Sequence, residues 1–195
     1  MDFFTPPKQG LYDPANEHDA CGLGVVAHIK GKKSHKILRQ ALTVLRNLDH
    51  RGGQGSDSKS GDGAGVLLQI PHLFFVKECL KLNIALPPAG EYAVGMLFMP
   101  PDAVERENLQ RHFEKIIVSN KLTVLGWRTV PTNISILGEK SSQSKPEMLQ
   151  VFIQANKDIL EQLSTDEKAF ERKLYIIRRE AENTIRYGKL RGGKY

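Results

Sequence analysis

Two hydrophobic rhythms alternate along this chain of 195 residues, and that alternation limits what it can fold into. Five short runs of small, β-branched or aromatic residues predict strands: 21–29 (CGLGVVAHI), 66–70 (VLLQI), 92–99 (YAVGMLFM), 122–130 (LTVLGWRTV) and 149–155 (LQVFIQA). Between them, apolar residues recur at helical spacing. Residues 34–48 carry Ile37, Leu38, Ala41, Leu42, Leu45 and Leu48 on one face, with Ser34 placed as the N-cap. Residues 72–82 predict a second helix containing Cys79. Residues 102–120 predict a third, capped by Asp102, with Val104, Leu109, Phe113, Ile116 and Ile117 as its buried stripe. A long helix is predicted over 166–187, with Phe170, Leu174, Ile177, Ala181 and Ile185 on one face. Alternating strands and helices predict an α/β or α+β class.

The remaining segments read as irregular. Pro6, Pro7, Gly10 and Pro14 break up residues 1–20. Residues 49–65 (DHRGGQGSDSKSGDGAG) hold six glycines in seventeen positions, the mark of a tightly folded loop or a linker. Residues 138–148 read as polar loop. The length fits one domain, or one and a fraction, with a real core. With 40% hydrophobic and 26% charged residues, disorder is excluded for most of the chain. No apolar run approaches the roughly 18 residues that span a bilayer, and the N-terminus lacks the pattern of a secretory signal. A cytoplasmic, reduced, soluble protein is expected, without a membrane partner.

Charge narrows the choice of partner. The net charge is +6, and residues 168–195 alone carry nine Lys/Arg against three acids, which equals that excess. A basic segment of this kind can contact nucleic acid, an acidic protein surface or another part of its own polypeptide. Its aromatics, Phe170, Tyr175 and Tyr187, are too sparse for a base-stacking platform, which argues against nucleic acid.

Several motifs could carry chemistry. Gly22–Ala27 has the form GxGxxA, but a dinucleotide site needs a strand before it and a helix starting at it, and this context offers neither. Gly61–Gly65 lacks the Lys-Ser/Thr of a phosphate-cradling loop and reads as a tight turn where backbone passes close to another segment. His18 and Cys21 have HxxC spacing, but two cysteines cannot make a disulfide scaffold or a four-cysteine zinc or iron–sulfur site. Cys21 is the sharpest candidate. It stands between a proline-broken arm and an apolar run, and is followed by Gly-Leu-Gly. With the arm removed, its own α-amino group, titrating near 8, could take the thiol proton and make it a nucleophile without a histidine. The competing reading is a small buried hydrophobe. Cys79, among Phe75, Val76 and Leu80, reads as core.

The run from Gly10 to Gly24 (GLYDPANEHDACGLG) resembles the start of the large chain of the glutamate synthase family. The resemblance continues through Val26–His35, Leu48–Gly52, Ser60–Pro71, Leu86–Tyr92, Val124–Arg128 and Ala169–Tyr175, nearly the whole chain. It implies a class II glutamine amidotransferase with an N-terminal nucleophile hydrolase fold: α+β, a four-layer αββα sandwich, here incomplete. Residues 1–20 would be a propeptide, and 21–195 the first part of the amidotransferase domain. Cys21 would be the catalytic nucleophile, taking glutamine to a thioester and releasing ammonia for glutamate synthesis from 2-oxoglutarate. Arg51 and Gly52 match a His-Arg-Gly motif beside the nucleophile and take a supporting role. The implied partners are glutamine and the remainder of the glutamate synthase chain.

The sequence also departs from the family pattern. The His-x-Arg-Phe-Ser-Thr segment that binds glutamine and the Asn-Gly-Glu segment that builds the oxyanion hole do not occur. Loss of one oxyanion donor costs on the order of 100- to 1,000-fold in rate, so the isolated chain is expected to be inactive. No cofactor is expected within it. FMN and an iron–sulfur cluster belong, by resemblance, to the full-length enzyme. The alternative is a non-catalytic binding or assembly module with a basic C-terminal surface.

Overall fold

The computed structural model describes residues 8–10, 22–53, 57, 59–162, 166 and 168–186, with Arg51, Gln162 and Arg186 described by backbone alone. The chain divides into two compact units, one built from 1–68 and 136–141, the other from 69–135 and 142–195.

The first unit is organised by helix α1, His35–Asn47. Ser34 caps it as expected: its backbone is extended and its hydroxyl accepts the Ile37 N–H at 3.4 Å. At the far end the Leu48 N–H is shared between the Val44 and Leu45 carbonyls, and a 3-10 turn, Asp49–Arg51, follows at once. The apolar face of α1 is only half-buried, and Leu42, expected within it, is exposed.

The expected strands at 21–29 and 66–70 do not form among the described residues. Residues 22–28 and 62–70 carry no strand pairing, and Leu23, Val25, Ile29 and Leu67 are exposed. Their composition suits a strand, but a strand exists only when a neighbour's backbone completes its hydrogen bonds.

The second unit contains α2 (His72–Leu80), β1 (Tyr92–Met99), α3 (Ala103–Ser119), β2 (Thr123–Thr129), α4 (Glu139–Ser144, which begins in the first unit), β3 (Glu147–Gln154), α5 (Lys157–Gln162) and α6 (Ala169–Ala181). Among the described residues the sheet has the order β1-β3-β2, and both pairings are antiparallel. Central β3 is covered on both faces, so it is buried almost continuously from Leu149 to Ile153. Val151 and Ile153 face one way, onto Ile116 and Ile117 of α3, Ile159 of α5, and Phe170, Ile177 and Ala181 of α6. Phe152 faces the other way, onto Phe75 and Cys79 of α2, with Ile84 and Tyr92. Each such side chain contributes about 1.5–3 kcal/mol when fully buried. The α+β class holds, and the sheet is incomplete, as the resemblance implies.

Local chemistry sets the element ends. The Asp102 carboxylate accepts the Glu105 N–H at 2.8 Å and starts α3. Lys121, at φ 62°, turns the chain left-handed out of α3, where the Leu122 N–H reaches the Ile117 carbonyl. In β2 a bulge falls between Val124 and Gly126, and a Cβ at Gly126 would sit 2.6 Å from Ile84 Cδ1. Among the described residues of this unit two polar side chains are buried, Arg128 and Gln150, and they pair. Arg128, 8% exposed, donates to Gln150 Oε1 at 2.8 Å, lies 3.7 Å from Glu78 and sits over the Phe74 ring, pinning α2 to the sheet.

Four further expectations need correction. Val104 is exposed, because it lies in the first turn of α3, beyond the sheet-facing stripe. The polar loop expected over 138–148 contains α4 and the start of β3. The last helix is α-helical only to Ala181 and widens to a π-helical turn over Glu182–Arg186. A short helix, α5, stands where none was expected.

Candidate active site

The residues that sequence reasoning singled out fall in the first unit. Cys21 and His18 lie outside the described residues, as does the Arg51 side chain. The backbone around them is described. Gly22 and Gly24 lie against the half-buried face of α1: a Cβ at Gly22 would meet Leu48 Cδ2 at 2.9 Å, and one at Gly24 would meet Val44 Cγ1 at 2.3 Å. A methyl at Gly24 would overlap the branched Val44 side chain, whereas one at Gly22 would require only the end of Leu48 to shift. Leu48 also precedes the Asp49–Arg51 turn. The residue after Cys21 thus packs on Leu48, which precedes the turn that carries His50, Arg51 and Gly52.

Gly52 closes that turn, its N–H donating to the Asp49 carbonyl at 3.1 Å. Gly53 is clamped to the second glycine-rich run by a reciprocal pair. Its N–H donates to Asp62 Oδ2 at 2.7 Å, and the Asp62 N–H returns to the Gly53 carbonyl at 3.1 Å. Asp57 organises the loop between: Oδ1 accepts the Lys59 N–H at 2.9 Å and Oδ2 accepts the Ser60 hydroxyl at 2.9 Å. The Ser60 and Ser141 hydroxyls share a hydrogen bond of 2.8 Å.

Gly61–Gly65 was expected to pass close to another segment, and it does so at Asp62, whose backbone N–H and carboxylate both bond Gly53. Cβ atoms at Gly63 and Gly65 would meet nothing within 4 Å. Sequence reasoning missed Asp57 and Asp62. The available signal was an acid inside each glycine-rich run, where a short carboxylate can satisfy exposed backbone N–H groups.

The other thiol has a different character. Cys79 is fully buried, and burial pushes its pKa up, partly offset by the Arg128 charge. It is a core side chain, as expected. Among the described residues, no group of three or more His, Cys, Asp or Glu is placed to hold a metal ion. A thiolate-ligated iron–sulfur cluster calls for about four cysteines. This chain has two, so its residues do not fit the iron–sulfur cluster that the resemblance implies for a longer polypeptide.

The basic C-terminal helix is partly neutralised. Arg178 and Arg179 both donate to Glu182, at 2.8 and 2.6 Å, and Arg172 pairs with Asp166. That hydrogen bond from Arg172 holds the Asp166 carboxyl below the ordinary Asp range. Tyr187 and the basic residues after it lie outside the described residues. Among the described residues no helix is long and apolar enough to cross a membrane.

Residues 21–195 match the family of class II glutamine amidotransferases. The chain belongs to that family. It is 50% identical over 178 residues to the glutamate synthase [NADPH] large chain of Bacillus subtilis (strain 168), covering 91% of this chain and 11% of that protein. It is 41% identical over 182 residues to the glutamate synthase [NADH] of Schizosaccharomyces pombe, covering 92% of this chain and 8% of that protein. A ferredoxin-dependent glutamate synthase 2 from Synechocystis is 38% identical over 162 residues, covering 83% of this chain and 10% of that protein. This amidotransferase chain spans about a tenth of the length of these relatives.

Proposed function

We propose that this chain is the N-terminal part of the glutaminase domain of a glutamate synthase, with residues 1–20 a propeptide and Cys21 the nucleophile. One observation carries the reading: the family match begins at Cys21 itself and runs through residue 195. Close packing of Gly22 and Gly24 on α1 supports it, since it positions the backbone that directly follows Cys21 in sequence.

The chemistry follows from an N-terminal thiol. The α-amino group takes the thiol proton, and the sulfur attacks the side-chain amide carbon of glutamine. The C–N bond breaks, the nitrogen takes up that proton, and ammonia leaves a glutamyl thioester. Water, deprotonated by the same amine, attacks the thioester. The C–S bond breaks, glutamate departs and the thiol is restored. Arg51 and Gly52 support this centre from the turn that follows α1. The ammonia then serves glutamate synthesis from 2-oxoglutarate at a second site, where FMN and the iron–sulfur cluster belong to the remainder of the polypeptide. No step above passes through either group. The matched relatives are named for NADPH, NADH and ferredoxin, so the choice of electron donor is assigned to regions outside this chain. The cytoplasm is the expected compartment.

The test is Cys21→Ser in the complete polypeptide. Glutamine-dependent ammonia release should fall by on the order of 1,000-fold or more, since the nucleophile of a covalent mechanism is gone. Glutamate formation from added ammonia and 2-oxoglutarate should persist. Glutamine-dependent activity within tenfold of the unsubstituted protein would remove Cys21 from the mechanism.

A further inference from the structure

The sheet of the second unit follows a pattern that its described strands do not finish. β1 and β2 are both antiparallel to β3, so they are parallel to each other with β3 between them. α3 makes the crossover from β1 to β2, which is a split βαβ unit. β3 then leads through α5 into α6, and α6 shares one core cluster with α3, so both helices cover the same face. A second crossover of the same hand would deliver a strand parallel to β3. The flank beyond β3 is occupied by β2, so the open position is beyond β1.

The β1 edge is chemically ready for it. The Ala155 N–H bonds the Glu91 carbonyl at 2.9 Å. Stepping by two along the register, Ala93, Gly95, Leu97 and Met99 direct their backbone groups to β3. The alternate N–H and C=O groups, at Tyr92, Val94, Met96 and Phe98, therefore point away from it. The bond from the Val130 N–H to the Met148 carbonyl fixes the same alternation from the β2 side. β1 contains no charge and no proline, the usual devices that blunt an exposed edge. Beside it lies a cleft of about 1050 Å³, walled by β1, Phe113, Leu174, Ile177, Ala181 and Ile185.

We propose that the β1 edge is the docking site for a fourth, apolar strand, antiparallel to β1 and supplied by the polypeptide that follows α6. That strand pairs the outward amides and roofs the cleft. Two observations select the occupant. Ile185, in the turn after α6, already lines the cleft, and the relatives are about ten times as long as this chain. The proposal rests on the polypeptide continuing as those relatives do, and not on amidotransferase chemistry.

Residue-resolved hydrogen exchange on the complete polypeptide tests it. Amides of Val94, Met96 and Phe98 should exchange on the order of 100-fold or more slowly than an unstructured chain, alongside Ala93 and Leu97. A strand-length protected run should follow α6. Fast exchange at Val94, Met96 and Phe98 beside slow exchange at Ala93 and Leu97 overturns the proposal. Protection lost on dilution also overturns it, because a second copy would then occupy the edge. Met96→Pro deletes only an outward N–H. It should speed exchange in the downstream run while Ala93 and Leu97 stay slow, and an unaffected run would show the two segments unpaired. A failed glutaminase assay moves none of these readouts, so the two readings fail separately.

Discussion

Phe152→Ala should be among the most damaging single truncations in the second unit. The ring is fully buried on the central strand, edge-on to Phe75 at 5.2 Å and 77°. A buried aromatic removes about 150–250 Å² from water. At about 25 cal/mol per Å² that is roughly 4–6 kcal/mol gross, part of which alanine retains. Phe→Ala losses in cores run about 3–5 kcal/mol, and the edge contact with Phe75 is worth about 0.5–1.5 kcal/mol within that. A loss near 4 kcal/mol is expected. Phe98→Ala is the control: the side chain is 66% exposed, so the loss should stay within about 0.5 kcal/mol. Trp127, the single tryptophan, packs on Phe113 and donates to Glu114 Oε1 at 2.6 Å, so its fluorescence reports this unit in a urea titration. With a slope of about 2 kcal/mol/M, Phe152→Ala should lower the midpoint by about 2 M. Midpoints for the two variants within about 0.5 M of each other would refute the two-sided core around β3.

Gly24→Ala should disturb the first unit, since the new methyl would sit 2.3 Å from Val44 Cγ1. A cost of about 1–3 kcal/mol is expected, read as faster amide exchange across residues 41–48. Val44→Ala added to it should restore protection, and unchanged exchange in Gly24→Ala alone would deny the close packing. Cys79 and Tyr92 are both pushed up, chiefly by burial, so the unfolded chain ionises before the folded one. Their contribution is therefore complete below the ordinary thiol and phenol ranges and is lost as pH rises through them. The urea midpoint should be lower at pH 10 than at pH 8. In a Cys21→Ser background, Cys79 should resist a thiol reagent at pH 8 until denaturant is added, and rapid native labelling would contradict its burial.

Much of the second unit was legible in the sequence. β1 falls where it was expected because Pro100 and Pro101 end it abruptly. α1 and α3 begin after the expected caps because Ser34 and Asp102 each satisfy a free first-turn N–H. α5 was not legible from periodicity, since six residues hold too few turns. Its signal was Asn156, whose Oδ1 accepts the Ile159 N–H at 2.9 Å. Residues 22–28 and 66–70 show the limit of composition. Their side chains fit a strand, but pairing belongs to two segments and one segment's sequence does not encode it. For the candidate site, the motifs around Cys21 and Arg51 were readable. The packing of Gly22 on Leu48 was not, because it depends on how residues 22–24 lie on α1. The Asp62 clamp on Gly53 was hidden for the same reason.

The N-terminus of the complete polypeptide, measured by mass after exposure to an electrophilic glutamine analogue, tests the central claim most directly. The expected result is a chain that begins at Cys21 and carries one adduct on that residue's sulfur. A chain that begins at Met1, or an adduct that maps to another residue, would contradict the N-terminal nucleophile.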